Sequence, residues 1–148
     1  MINEPISEDI IQQAILKEAC PQGIQAAIES TWQTLSLVYQ EWAAQHLDLP
    51  DEIAEYLYKQ VGIRSYWKGG LRHREDGPAL IITCRREWWL NGQRHREDGL
   101  AVEDSRDYKE WWLNGLRYYG RGRAYSETLG ALQASRGQLL KSQENNIA

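Results

Sequence analysis

The sequence predicts an α+β fold: an N-terminal three-helix unit, an antiparallel β-hairpin ribbon of about three repeats, and a C-terminal helix. One observation is an internal repeat, with two full copies at residues 66–79 and 88–101. Another is the helical spacing of apolar residues in residues 1–62. A charge boundary near Gly62 separates the two patterns, because the net charge is −8 before it and +4 after it.

These patterns divide the chain into an acidic helical unit (1–62), the hairpin ribbon (63–125), and a C-terminal helix with a disordered tail (126–148). No apolar run approaches the roughly 18 residues of a membrane span, and the acidic N-terminus does not have the form of a signal peptide. Cys20 and Cys84 lack metal-ligand spacing and give no reason to expect an oxidising compartment. We therefore expect a cytoplasmic protein with no cofactor, no metal and no membrane contact.

Capping residues and helix breakers define the first two helices. Ser7 is a good N-cap, and the run Cys20-Pro21-Gln22-Gly23 ends the first helix. A second helix is expected from about Gln22 to His46. Its predicted apolar face consists of Ile24, Ile28, Leu35, Val38 and Trp42. We expect this face to cover the ribbon or to mediate a homodimer, so that neither half of the chain folds alone.

Two further helices are predicted on either side of the ribbon. Pro50 suits the first position of the third helix, and Gly62 ends it. Ser126 begins a short fourth helix that continues through Leu140. Residues 142–148 are polar and are expected to be disordered.

Each repeat is predicted to form a β-hairpin, and the repeats follow one another at intervals of 22 and 23 residues. Asn91-Gly92 and Asn114-Gly115 are strong signals for type I′ turns, and Gly69-Gly70 has the same freedom to adopt positive φ. Trp88-Trp89-Leu90 should therefore pair with Gln93-Arg94-His95. Because side chains alternate along a strand, we expect one tryptophan of each pair to face the packed side and the other to face outward.

A second turn is predicted in each repeat, at Asp76-Gly77 and at Asp98-Gly99. We expect the aspartate to accept backbone N–H groups and the glycine to adopt positive φ. Residues 79–83 form the next strand, which leads through Cys84-Arg85-Arg86 to the following tryptophan pair. The predicted ribbon is therefore a meander of short antiparallel strands.

The pattern aromatic-x-x-Asn-Gly-x-x-His-Arg-Glu-Asp-Gly-Pro-Ala resembles the MORN-like repeats of bacterial and bacteriophage proteins. The resemblance covers about residues 65–124, and His-Arg-Glu-Asp-Gly-(Pro)-Ala is its most specific phrase. It implies a ribbon of stacked hairpins that serves as an interaction surface rather than as a catalyst. The chain departs from the pattern at Leu100, which stands where the first copy has Pro78. The third unit lacks His-Arg-Glu-Asp and is expected to be an end cap.

The recurring polar residues favour a structural role, because a phrase that repeats with the period of the scaffold is normally structural, whereas a catalytic group occurs once. The predicted structural turn residues are His73, Asp76, Gly77, His95, Asp98 and Gly99. An alternative interpretation makes His73 with Glu75, and His95 with Glu97, the metal ligands or proton-transfer groups of a metal-dependent enzyme. No phosphate loop, nucleophile elbow or paired-cysteine zinc site accompanies them.

Aromatic and basic side chains of the ribbon are the predicted partner-binding residues, because tryptophan, tyrosine and arginine dominate interface hot spots. They are Trp88, Trp89, Trp111, Trp112, Arg117, Tyr119, Arg121 and Arg123. Residues 117–123 also suit nucleic-acid binding, since arginine contacts phosphates and tyrosine stacks on bases. The plainer alternative for this segment is a solvated cap that protects the edge of the sheet. The acidic helices could instead dock on a basic nucleic-acid groove of a partner protein.

These observations together favour non-catalytic binding to another protein, without direct contact to nucleic acid. No catalytic residue is predicted. By resemblance and size, the specific hypothesis is a phage or prophage inhibitor of a host enzyme or defence complex, such as an anti-CRISPR, that acts in the host cytoplasm.

Overall fold

The computed structural model describes residues 1–147, with side chains through Glu144, and confirms the α+β class. Its helices are Glu8–Leu16 (α1), Pro21–Glu29 (α2), Leu37–His46 (α3), Asp51–Val61 (α4) and Arg123–Ile147 (α5). Four of these helices precede the ribbon and one follows it. Within the described residues, no helix has both the length and the apolar character needed to cross a membrane.

Ten short strands lie between α4 and α5. They are Ile63–Ser65 (β1), Trp67–Lys68 (β2), Leu71–Arg72 (β3), Leu80–Ile82 (β4), Arg85–Glu87 (β5), Trp89–Leu90 (β6), Gln93–Arg94 (β7), Val102–Asp104 (β8), Lys109–Leu113 (β9) and Leu116–Tyr118 (β10). Six strands form an antiparallel sheet in the order β1-β4-β5-β8-β9-β10, and the pairs β2-β3 and β6-β7 form separate hairpins. The predicted antiparallel meander is confirmed.

The N-terminal unit contains four helices instead of the predicted three, because the expected second helix is interrupted at residues 30–36. Thr34 Oγ1 accepts a hydrogen bond from Thr31 N–H at 2.8 Å, and such local bonds compete with helix formation. Gln40 Nε2 donates to the Trp32 carbonyl oxygen at 3.0 Å and ties the interruption to α3. The interruption thereby places the Trp32 side chain in the core.

The predicted apolar face of a single second helix is therefore wrong. Leu35 is buried within the interruption, Ile24 and Trp42 are half-buried, and Ile28 and Val38 are exposed. The core of the helical unit consists instead of Ile6, Ile10, Ala14, Trp32, Leu35, Ala43, Ala44, Leu47, Ile53, Leu57 and Ile63.

The helical unit packs on the first strand of the ribbon, as predicted in outline for residues 1–62. Both α3 and α4 contact β1. Ser65 Oγ donates to the Ala44 carbonyl oxygen at 2.7 Å, and Arg72 Nη2 donates to the Gln45 carbonyl oxygen at 2.7 Å. One end of the ribbon is therefore attached to the helices.

The C-terminal helix begins at Arg123, before the predicted Ser126, and continues to Ile147. Residues 142–147, for which we expected disorder, form the last part of this helix, and Gln143 and Glu144 are good helix formers. Ala148, the last residue of the predicted tail, lies outside the described residues. Near its start, α5 forms a second small core with the ribbon, made of Leu113, Tyr125 and Leu129 with Trp111, Tyr118 and Leu132 packed against them.

Candidate functional site at the open end of the ribbon

The hairpin turns have the geometry that their asparagine and glycine residues predict. Asn91-Gly92 has φ values of 49° and 79°, and Asn114-Gly115 has φ values of 48° and 78°. Positive φ at both central residues is characteristic of a type I′ turn. Trp89 pairs with Arg94 across the first of these turns, as predicted.

On one face of the ribbon, tryptophan and arginine side chains alternate in a continuous stack. Arg72 Cζ lies 5.0 Å from the ring centre of Trp67 and 5.4 Å from that of Trp89. Arg94 Cζ lies 5.0 Å from the ring centre of Trp89 and 5.2 Å from that of Trp112. We call these five side chains the tryptophan–arginine stack. Because each guanidinium is attracted to two rings, the stack links each unit to the next.

Lys17, the residue that follows α1, covers the first end of the tryptophan–arginine stack. Its Nζ lies 3.8 Å from the ring centre of Trp67. Burial lowers the pKa of Lys17, and the nearby positive charge of Arg72 lowers that pKa further. The helical unit therefore closes this end of the stack.

Buried glutamates orient two rings of the stack. Trp89 Nε1 donates to Glu87 Oε2 at 2.8 Å, and Trp112 Nε1 donates to Glu110 Oε2 at 2.5 Å. Burial by itself raises the pKa of Glu110, but hydrogen bonds from Tyr108 and Trp112 outweigh it and leave the pKa below its ordinary value. The glutamates fix the ring planes and place acceptor oxygens beside the arginines.

The opposite face carries the His-Arg-Glu-Asp-Gly loops, in which the arginine folds back over its own loop. Arg96 Nε donates to Asp98 Oδ1 at 2.9 Å, and Arg96 Nη1 donates to the Leu100 carbonyl oxygen at 2.9 Å. Its Cζ lies 3.8 Å from the ring centre of Trp88. Arg74 makes the equivalent contacts in the first unit.

The glycine of this loop is explained by packing and not by backbone conformation. Neither Gly77 nor Gly99 has positive φ, so the predicted left-handed conformation is wrong. A Cβ atom at Gly77 would lie 3.0 Å from Arg74 Cζ, and one at Gly99 would lie 2.9 Å from Arg96 Cζ. The folded-back guanidinium occupies that space, and the loop aspartates accept its hydrogen bonds.

The repeat histidines join each unit to the turn of the next unit. His73 Nδ1 accepts a hydrogen bond from Asn91 N–H at 2.9 Å, and His95 Nδ1 accepts one from Asn114 N–H at 2.9 Å. Each Nδ1 is therefore unprotonated in this arrangement. Burial lowers the pKa of His95 against the opposing effect of Glu97, which favours the neutral form that the hydrogen bond needs.

The histidine–glutamate pairs of the enzyme interpretation are looser than these contacts. Nε2 of His73 lies 3.4 Å from Glu75 Oε1, and Nε2 of His95 lies 3.9 Å from Glu97 Oε1. Glu97 accepts two hydrogen bonds from Arg136 of α5. Among residues 1–147, no three histidine, cysteine, aspartate or glutamate side chains come together as a metal site would require.

The four predicted tryptophan anchors are all half-buried. Trp89 and Trp112 belong to the tryptophan–arginine stack, Trp88 lies beside Arg96, and Trp111 packs edge-on against a tyrosine of α5. The expectation that one member of each pair is packed and the other exposed is wrong, because arginine side chains cover rings on both faces. The structure therefore gives these rings internal partners.

The ribbon is open to solvent at β10, the end away from the helical unit. Tyr119 is 94% exposed and Leu116 is 63% exposed. Arg117 is also exposed, with its Cζ 5.2 Å from the ring centre of Tyr119 and its Nη1 3.5 Å from Glu110 Oε1. We call the surface formed by Leu116, Arg117, Tyr119 and Arg121 the open end.

The open end unites three of the predicted partner-binding residues, and Arg123 is exposed two residues further along the chain. Sequence reasoning missed Leu116. Its signal lay in the repeat itself, because Leu116 stands at the position of Leu71 and Gln93, whose side chains cover the turn glycine of the following unit.

Of the cavities formed by the described residues, two lie away from the open end, and neither was predicted from the sequence. A groove of about 700 Å³ lies between the two His-Arg-Glu-Asp-Gly loops and is lined by side chains of both charges. A mainly apolar cavity of about 360 Å³ lies among α1, α2 and α3.

Comparison of the chain with protein families, with curated proteins and with solved structures finds no match. The MORN-like resemblance stays a prediction carried by the repeated phrase at residues 73–79 and 95–101.

Proposed function

We propose that this protein is a non-catalytic protein-binding protein and that the open end is its binding face. The observation that carries the proposal is the exposure of Tyr119 and Leu116, at 94% and 63%, beside exposed arginines at the last hairpin. Tyrosine and arginine are enriched among the residues that dominate interface energies. Neighbouring exposed apolar side chains also mark interaction surfaces.

The contacts of the repeat histidines support a non-catalytic role. A general base needs a nitrogen free to reach a substrate proton. His73 and His95 instead use Nδ1 to hold the turn of the next unit, at 2.9 Å in both cases. Both side chains are also buried.

The more specific part of the proposal comes from the resemblance to MORN-like repeats. It makes the protein a phage or prophage inhibitor, of the anti-CRISPR kind, that binds a host enzyme or defence complex in the host cytoplasm. The acidic helical unit supports a protein partner over a nucleic acid, because a net charge of −8 in residues 1–62 repels phosphate groups.

Affinity capture from a lysate of host cells tests the proposed face. We expect the unaltered protein to retain a specific partner, and Tyr119→Ser and Leu116→Ser to lose it. Leu139→Ser is the matched control, because Leu139 is 60% exposed but lies on α5. A partner retained equally by all four proteins, or lost equally with Leu139→Ser, contradicts the proposal.

Single-stranded nucleic-acid binding is a second candidate function for the same end. One observation favours it, namely the arginine–tyrosine contact of Arg117 with the exposed Tyr119 ring, with Arg121 and Arg123 nearby. We expect weak binding that disappears as salt increases, because the chain has a net charge of −4. Submicromolar binding at physiological salt, abolished when the three arginines become alanine, would establish this candidate instead.

A further inference from the structure

Inside the ribbon, the first unit binds the second through a set of four contacts. Gly92 N–H donates to the Arg72 carbonyl oxygen at 2.9 Å, and Arg74 N–H donates to the Trp89 carbonyl oxygen at 3.0 Å. The Trp89 ring stacks on the Arg72 guanidinium. The turn glycine lies against the Leu71 side chain, which would be 3.1 Å from a Cβ atom at Gly92.

The second unit binds the third through the same four contacts. Gly115 N–H donates to the Arg94 carbonyl oxygen at 3.0 Å, and Arg96 N–H donates to the Trp112 carbonyl oxygen at 3.1 Å. The Trp112 ring stacks on the Arg94 guanidinium, and Gly115 lies against the Gln93 side chain. Because the geometry recurs, these contacts define a docking surface for a hairpin that has an aromatic residue beside a tight turn.

The third unit presents this docking surface to solvent. Its residues Leu116, Arg117 and Tyr119 stand at the positions of Leu71, Arg72 and Arg74 in the first unit. Leu116 and Tyr119 are largely exposed, and α5 packs on the opposite face, which carries Trp111 and Leu113.

The backbone groups of the docking surface are also present at this end. Arg117 pairs with Trp112 in the β9–β10 hairpin, as Arg94 pairs with Trp89 in the preceding hairpin. The carbonyl oxygen of Arg94 points away from its own hairpin and accepts a hydrogen bond from the next unit. The Arg117 carbonyl oxygen therefore points to the open edge. Within residues 1–147, Tyr119 N–H makes no hydrogen bond.

We propose that the open end binds a β-hairpin of the partner protein in which an aromatic residue stands beside a glycine-containing tight turn. The inference rests on the proposed function and names the element that the partner supplies. The aromatic ring stacks on the Arg117 guanidinium, and the turn glycine donates its N–H to the Arg117 carbonyl oxygen. The carbonyl oxygen of the aromatic residue accepts from Tyr119 N–H. Leu116 covers the turn, where glycine adopts the positive φ of the equivalent Gly92 and avoids the crowding that a Cβ atom would cause beside a leucine.

We call the set of contacts between two neighbouring units of the ribbon an inner junction. One contact of the inner junctions is absent at the open end, so the complex with the partner hairpin is weaker than an inner junction. Tyr118 stands at the position of His73 and His95, and its hydroxyl donates to Thr128 Oγ1 at 3.1 Å. It therefore does not accept a turn N–H as the histidines do. A surface that keeps the four contacts above and lacks only the histidine hydrogen bond suits reversible binding.

A second copy of this chain fits the open end less well than a different protein does. The hairpin that the second copy would offer is the first one of its ribbon, and the helical unit already covers that hairpin. Lys17 lies over Trp67 at 3.8 Å, and Arg72 donates to the Gln45 carbonyl oxygen of α3.

Titration of the full chain with a hairpin peptide tests the inference. The probe is a backbone-cyclised peptide with the sequence of residues 87–96, and calorimetry measures its dissociation constant. We expect a dissociation constant below about 1 mM, raised at least about tenfold by Arg117→Ala and less by Arg117→Lys. Arg86→Ala, which removes an exposed arginine of β5, leaves the constant unchanged. A peptide with alanine at the position of Trp89 binds at least about tenfold more weakly.

Absence of binding at about 1 mM peptide, or equal affinity of the Arg117→Ala and Arg86→Ala proteins, overturns the inference. Self-association of the free chain that Arg117→Ala removes also overturns it, because the occupant is then a second copy. If the peptide does not bind but partner capture still depends on Leu116 and Tyr119, the inference alone fails. If capture does not depend on them either, the proposed function fails with it.

Discussion

Arg94 and Arg117 occupy equivalent positions in neighbouring units, but their surroundings differ. Arg94 lies between the rings of Trp89 and Trp112 and 3.5 Å from buried Glu87. Arg117 is exposed and has no following unit to cover it. The same residue in the same fold therefore stabilises the ribbon at one position and is exposed at the other, where we propose that it binds the partner. An open array of repeats keeps its unit-to-unit surface accessible at the end.

The largest effect is expected from removing an inner ring of the tryptophan–arginine stack. Trp89→Ala should lower the free energy of unfolding by about 3 kcal/mol, because the ring contacts two guanidinium groups and donates to Glu87. Trp112→Ala, the matched change in the third unit, should lower it by about 2 kcal/mol. Urea denaturation measures both values. A larger loss for Trp112→Ala contradicts the distinction between inner and terminal units.

The two arginines should separate stability from recognition. Arg94→Ala should lower the free energy of unfolding by about 2 kcal/mol, because it leaves two rings and a buried carboxylate without their shared partner. Arg117→Ala should lower it by less, about 1 kcal/mol, because Arg117 is itself exposed and contacts no tryptophan ring among the described residues, although it lies 3.5 Å from buried Glu110. Denaturation of both variants under one set of conditions makes the comparison. Equal losses would show that Arg117 is as much a part of the scaffold as Arg94.

A smaller effect is expected where the glycine of a loop makes room for a guanidinium. Gly99→Ala should lower the free energy of unfolding by about 1 kcal/mol, because the new Cβ atom meets Arg96 Cζ at 2.9 Å. Gly122→Ala is the control, since a Cβ atom there meets nothing within 4 Å. Thermal unfolding distinguishes the two variants. Equal stability of both proteins would contradict the packing explanation of the loop glycine.

The smallest expected effect is a pH dependence of stability that comes from His95, which joins the second unit to the third. Because burial lowers the folded-state pKa of His95, the unfolded chain binds more protons. The contribution of neutral His95 to the free energy of unfolding is therefore complete above about pH 6.5 and is lost as pH falls through the folded-state pKa. This loss is about 1 kcal/mol or less. Denaturation of the unaltered protein and of His95→Gln across this range isolates the effect. Identical pH dependence would contradict the assigned hydrogen bond.

The sequence predicts those features of the ribbon that depend on local chemistry. The repeat interval predicts the meander, and asparagine followed by glycine predicts each type I′ turn, because both signals act over a few residues. Alternation along the strands also places Trp88 and Trp89 on opposite faces.

Features that depend on distances between units could not be predicted in the same way. The position of Arg94 between the rings of Trp89 and Trp112 depends on the distance between neighbouring hairpins, and the repeat interval in the sequence does not specify that distance. The sequence predicts positive φ at Gly99, but the glycine is explained by the Arg96 guanidinium, which occupies the space of a Cβ atom. The interruption of the second helix combines the local hydrogen bond between Thr31 and Thr34 with one from the Gln40 side chain to the Trp32 carbonyl oxygen. Helix propensity alone does not predict such side-chain bonds to the backbone.

Native-state hydrogen exchange tests the central distinction between closed inner junctions and the open end. The amides of Gly92 and Gly115 donate across the two inner junctions, so they should exchange only when the chain unfolds globally. The amide of Tyr119 stands at the equivalent of Arg74 and Arg96 but makes no such bond, so it should exchange close to the rate of an unprotected amide. Protection of Tyr119 equal to that of Gly115 in the free protein would contradict the account.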